Sequence, residues 1–223
     1  FLARMLLTSV CYGHFFIEHN RGHHVQVSTQ EDPSSARFGE SFYFFYPRSV
    51  LGSYVSAWRL EAIRLRQRQV SFLSWHNQML WFTAMPMMIL ALFWWGWGPL
   101  TAIFFLVQAW TAFTILELTN YIEHYGLVRQ RLDNGRYERV THYHSWNASE
   151  RSSNCFLFNL QRHSDHHEYA SRRYQALQHY EDSPQLPTGY AGMLLLAILP
   201  PLWFAVMNPR VQAYYGKRNE TAL

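Results

Sequence analysis

Lysine is nearly absent. Lys217 is the single one in 223 residues, so the basic character rests on arginine. The arginines are scattered rather than striped along one face, which argues against a nucleic-acid surface despite a net charge of +4 and a pI near 9.1. Cysteine is also scarce. Cys11 and Cys155 stand alone without a C-x-x-C spacing, so neither a disulfide framework nor a thiolate metal site is expected, and both read as small buried side chains. Phe1 opens the chain without an initiator methionine, a basic leader or a cleavage signature. The expectation is therefore a portion of a longer protein and not a secretory precursor.

Charge is missing from two stretches, residues 79–95 and 100–116, separated by Gly96-Trp97-Gly98-Pro99. Each run falls a little short of the roughly 20 residues that span a bilayer, and the flanks complete it. Trp94, Trp95, Trp97 and Trp110 gather around the turn, as rings do at a membrane interface. A buried hairpin in a soluble protein is the alternative, and the paired runs favour the membrane. Arginine is concentrated on the outer flanks (Arg59 to Arg68, Arg129 to Arg139), which predicts cytoplasmic flanks and an outward turn. Arg64, Arg66 and Arg68 read as a basic segment beside the membrane.

Helical spacing puts Glu117, Tyr121 and His124 on one face of a second apolar helix running past Leu116, with Gly126 as its stop. Leu127–Leu132 and Arg136–His142 alternate about Asp133-Asn134-Gly135, which predicts a small β-hairpin. Residues 25–56 read as loops with a turn at Glu31-Asp32-Pro33. Residues 190–207, interrupted by Pro200-Pro201, read as an interfacial or covering segment. The expected fold is mainly α: one domain over 1–223, with a membrane helical part at 79–95 and 100–122. A histidine-rich helical cap and the β-hairpin lie in the cytoplasmic stretches 1–78 and 123–223.

Two histidine runs then stand out, Glu18-His-Asn-Arg-Gly-His-His24 and Leu160-Gln-Arg-His-Ser-Asp-His-His167. On a helix His163, His166 and His167 point the same way, and His19 and His23 form an i, i+4 pair with His24 one position further round. Imidazole suits iron, zinc, copper or nickel. Acidic and amide residues interleave the runs, and Glu18, Asn20, Glu123 and Asp165 are the candidates to accept the second ring N–H of a ligating histidine. His14 reads as a packed core residue. His142 and His144 read as sharing a face of a strand, and His76 and His179 as structural or surface residues.

With Asn120-Tyr-Ile-Glu-His-Tyr-Gly-Leu127 between them, these runs resemble the histidine boxes of the membrane alkane 1-monooxygenases. His144-Ser-Trp-Asn147 and Leu186-Pro-Thr-Gly-Tyr190 are similar to that family as well. The resemblance implies a non-haem diiron enzyme in the bacterial inner (cytoplasmic) membrane, multi-pass, with its metal site on the cytoplasmic side. It implies ligands at His19, His23, His24, His124, His163, His166 and His167, and no further catalytic side chains. It also implies terminal hydroxylation of medium-to-long n-alkanes to primary alcohols with O₂, with electrons from NAD(P)H passing through a rubredoxin reductase and rubredoxin. An additional H-E-x-x-H-K box is expected upstream of Phe1. Two rivals stay open: another histidine-box oxygenase (an aryl-methyl hydroxylase or a fatty acid desaturase), and a non-catalytic membrane zinc-binding protein. The Asn120–Leu127 segment argues against a desaturase.

Overall fold

The computed structural model describes residues 2–221, with side chains described through 218. Helices dominate in chain order: α1 (Leu2–Ser9), α2 (Phe15–Glu18) passing through a π-turn (His19–His23) into α3 (His24–Gln26), and α4 (Phe42–Gln67). Then come α5 (Gln78–Trp97), α6 (Pro99–His124), α7 (Arg151–Phe156), α8 (His163–Glu168), α9 (Tyr190–Ala197) and α10 (Pro200–Thr221).

Two compact units result, Phe1–Val25 with Val50–Glu117, and Gln26–Ser49 with Leu118–Leu223. In the first, α5 and α6 are long and apolar enough to cross a membrane. Their apolar side chains are largely exposed, Trp95 at 83% and Leu100 at 79%, as suits lipid-facing helices and not the core of a soluble hairpin. The Asn77 side chain accepts from the Met79 amide and starts α5. Pro99 stands at the first position of α6, where its missing N–H costs nothing. A small buried cluster of Ile17, Ala57 and Met79 fastens the first unit.

The second unit has a larger aromatic core. Tyr121, in the last turn of α6, and Tyr125, just past its end, pack on Trp203 of α10 at centroid distances of 5.0 and 5.2 Å. Met193, Met207 and Val211 complete the wall, each buried side chain contributing about 1.5–3 kcal/mol. The segment 190–207 thus covers this core as two helices broken before Pro200. Gly126 ends α6 as expected: its φ is +70°, and a Cβ there would lie 3.1 Å from Val211.

Three expectations are corrected. No strand forms around Asp133-Asn134-Gly135 among the described residues; the turn is made, with the Arg136 amide bound to Asn134 Oδ1, but only an isolated Arg131–Tyr137 bridge accompanies it. Side chains intercept the backbone there, the Gln130 amide donating to Glu138 Oε1 and the Arg129 guanidinium to the Glu138 carbonyl. Residues 42–56, read as loop, belong to the 26-residue α4 despite Pro47 and Gly52, because Phe42 and Phe45 bury against the core and override weak propensity. Cys155 is exposed and Cys11 only half-buried, both free thiols. The turn at Glu31-Asp32-Pro33 is present, Asp32 accepting from the Ser34 amide at 3.0 Å.

Candidate metal centre

In the first unit the run Glu18–His24 is carried through the π-turn, whose wider winding brings residues five apart together. The turn accordingly brings His19 Nε2 to 3.1 Å from His24 Nε2, five residues on, while the i, i+4 neighbours His19 and His23 stack ring on ring. His23 is buried beside them, its ring centroid 5.2 Å from that of His19. Glu18 is fully buried and lies against Gly22, where a Cβ would stand 2.5 Å from Glu18 Oε1. Asn20 is exposed and donates to the Phe16 carbonyl at 2.7 Å, so its observed bond is to its own helix and not to an imidazole.

A second carboxylate fastens the run from outside. Glu61 on α4 is fully buried and accepts from Arg64 at 2.6 and 2.7 Å, from Arg21 at 3.3 Å and from the Gln78 amide at 2.8 Å. Burial alone would raise its pKa; the Arg64 and Gln78 donors and the Arg21 charge outweigh this and hold it below the usual carboxylate value. Nothing in the sequence pairs positions 21 and 61, which lie forty residues apart. His14 is a packed core residue as expected, its ring edge-on to Tyr12 at 4.4 Å, and burial pushes its pKa down to about 4. Glu117 is buried in α6 and accepts from Tyr12 Oη at 2.7 Å.

The second unit gathers three histidines from two distant segments. His163 Nε2 lies 3.2 Å from His124 Nε2 and 2.9 Å from His167 Nε2, and all three residues are buried. His166 is partly exposed, its ring centroid 5.7 Å from His163 and 5.5 Å from His167. The opposite nitrogens meet polar groups: His163 Nδ1 is 3.1 Å from Glu123 Oε1, and His124 Nδ1 is 3.4 Å from Ser145 Oγ.

Backbone accounting explains how these segments are held. The carbonyls of Glu123 and Tyr125, at the open end of α6, accept from the Trp146 amide and indole, each at 2.8 Å. Arg162 offers α8 no side-chain cap; Asn147 substitutes, its Oδ1 accepting from both the amide and the hydroxyl of Ser164 at 2.9 Å. The Asn147 backbone bonds onward to Pro184 and Leu186. Asp165 binds Arg172, the Gln178 amide at 2.9 Å and Tyr180 Oη at 2.9 Å, and these bonds secure the loop after α8. His142 and His144 do not share a strand face. His142 bonds Glu168 at 2.8 Å, whereas His144 turns to Glu138 at 3.0 Å. His76 and His179 bond Ser74 and Ser149, in keeping with structural roles.

Nε2–Nε2 separations of 2.9 and 3.2 Å about His163 match the spacing of nitrogens around one ion, given metal–nitrogen bonds of about 2.0–2.1 Å. The donor set, all nitrogen and closed to water, therefore fits a transition metal.

The model of the fatty acid desaturase family matches residues 1–205. The chain is 57% identical over 95% of its length to an alkane 1-monooxygenase 2 of Pseudomonas aeruginosa, and 51% identical over 96% to one of Alcanivorax borkumensis. A xylene/toluene monooxygenase hydroxylase component of Pseudomonas putida is 29% identical over 86% of the chain. The chain spans about half the length of these relatives, 56%, 56% and 50% respectively.

Proposed function

We infer the activity from a premise that the match over residues 1–205 establishes: the chain belongs to the fatty acid desaturase family. Within that family its similarity is to alkane 1-monooxygenases, and the reading is that the protein it represents hydroxylates the terminal carbon of n-alkanes to primary alcohols. The convergence of His124, His163 and His167 nitrogens carries this reading. We place two irons on His19, His23, His24, His124, His163, His166 and His167, together with whatever ligands the longer protein adds. The irons, once bound, supply the O₂ and C–H chemistry that side chains lack.

The chain's own residues orient and exclude. Glu123 Oε1 stands 3.1 Å from His163 Nδ1, close enough to take its proton as the ring settles on a metal and so to leave the Nε2 lone pair for the ion. The buried surroundings of the three rings keep bulk water away. The apolar helices α5 and α6 face lipid, where an alkane partitions, and an apolar passage recognises it without any polar handle. Each methylene contributes only about 0.8 kcal/mol, so a broad chain-length range follows. Two membrane-capable helices and the family support a membrane protein. We place it in the bacterial inner membrane as a multi-pass protein with the histidines on the cytoplasmic side, and rubredoxin as the electron donor.

The test uses the full-length protein with iron, rubredoxin and its NAD(P)H-dependent reductase, offered octane to hexadecane and, separately, xylene. Primary alcohols from the alkanes support the reading, and no terminal alcohol from any alkane overturns it. Turnover of xylene alone favours the second reading, an aryl-methyl hydroxylase, for which the 29% identical relative speaks.

A further inference from the structure

The first side chain of α9 ends against the segment that carries His124. Tyr190 is 1% exposed, and its hydroxyl donates to Glu123 Oε1 at 2.6 Å. That same oxygen is the one 3.1 Å from His163 Nδ1. The ring is aimed by backbone bonds: the Tyr190 amide donates to Gln161 Oε1 at 2.9 Å, and the Gln161 carbonyl accepts from the Ala148 amide at 3.0 Å. Phenylalanine would fill the same volume, so the hydroxyl does something that packing does not require.

We propose that Tyr190 is a positioning residue for the metal ligand His163, acting through Glu123. The inference rests on the reading of His163 as a ligand. A carboxylate rotates freely about its last bond, and one oxygen must stay in the imidazole plane to take the Nδ1 proton. The phenol O–H holds that oxygen 3.1 Å from Nδ1, where a small turn of the ring brings the N–H onto it and fixes the tautomer that leaves Nε2 for the metal. The sequence places Tyr190 sixty-seven residues from Glu123, so only the fold shows the relay.

Cobalt(II) titration of the full-length, metal-stripped protein tests this, read by its visible absorption spectrum and its apparent affinity. Tyr190→Phe is expected to keep its melting profile, weaken cobalt binding about tenfold and shift the spectrum. Glu123→Gln is expected to weaken binding at least as much, and the double variant no more than Glu123→Gln alone, since both act through one carboxylate. Unchanged affinity and spectrum in Tyr190→Phe overturns the proposal, as do additive losses in the double variant. A collapsed melting profile in Tyr190→Phe overturns it too, because a hydroxyl serving only Glu123 is dispensable to the fold. Failure of the wild-type protein to take up cobalt or iron at all overturns the metal-centre reading beneath it, a result distinct from any difference between variants.

Discussion

His19, His23 and His24 stand on one short stretch of helix, whereas His124, His163 and His167 arrive from the end of α6 and from α8, thirty-nine residues further on. Both groups bring imidazole nitrogens to about 3 Å, and they do so by different means. In the first unit a change of winding suffices: the π-turn shifts one helical hydrogen-bond register and brings the rings of residues five apart edge to face, and Gly22 leaves room for the Glu18 carboxylate. In the second, each histidine-bearing segment is tied by long-range bonds through Trp146, Asn147 and Tyr190. A locally made cluster is vulnerable to steric and helical changes. A cluster assembled from distant segments is vulnerable to the loss of single hydrogen bonds far from the histidines.

Removing a ring should break the comparison most sharply, because it strikes the shared chemistry. His163→Ala in the full-length enzyme is expected to lower alkane hydroxylation by at least a hundredfold, about 2.7 kcal/mol or more, with a parallel fall in bound iron. Retained activity would show that the convergence of rings is packing alone. Next comes a pH effect confined to the first unit. The pKa of His14 is about 4 in the folded chain and near 6.5 unfolded, so protonation favours unfolding. Its contribution is fully present above about pH 6.5 and is lost as pH falls toward about 4, amounting to about 3 kcal/mol. His14→Phe should flatten that part of the profile of melting temperature against pH, and an unaltered slope would refute the assignment.

Gly22→Ala separates the two constructions. The new methyl meets Glu18 Oε1, and about 1–3 kcal/mol of stability should be lost, together with metal at His19 and His24, whereas Cβ-tolerant surface positions of the same helix should be silent. Asn147→Ala is the counterpart in the second unit. It strands the Ser164 amide at the start of α8, and a thermal shift equivalent to about 1–3 kcal/mol is expected; no shift would mean that α8 holds without its borrowed cap. The smallest effect belongs to Asn20→Ala, at most about 0.5 kcal/mol and with unchanged iron content, because the side chain is exposed and bonds only its own helix.

Much of this was legible beforehand. Absence of charge located α5 and α6 to within two residues at most ends, and helical spacing extended α6 to His124, because lipid-facing helices must be uniformly apolar and helical to satisfy their backbone. The Asn134-Gly135 signal predicted the turn correctly and the strands wrongly, since Arg129 and Glu138 capture the backbone groups that a ladder needs. Glu123, read as an imidazole partner from its place beside His124, stands with Oε1 3.1 Å from His163 Nδ1, a ring from a distant segment. Asp165 and Asn20, equally adjacent to histidines, bond elsewhere, because adjacency in sequence does not set the direction of a side chain.

By itself the sequence determined which residue types could bind metal, where the membrane-capable helices run and which family the boxes resemble. Those properties follow from composition and from periodicities of a few residues. The tertiary structure alone decided that His19 pairs with His24, that Asn147 caps α8, that Glu61 receives Arg21 and that Tyr190 reaches Glu123. Each of these depends on a local winding or a long-range encounter that compact packing selects, and no spacing along the chain encodes it.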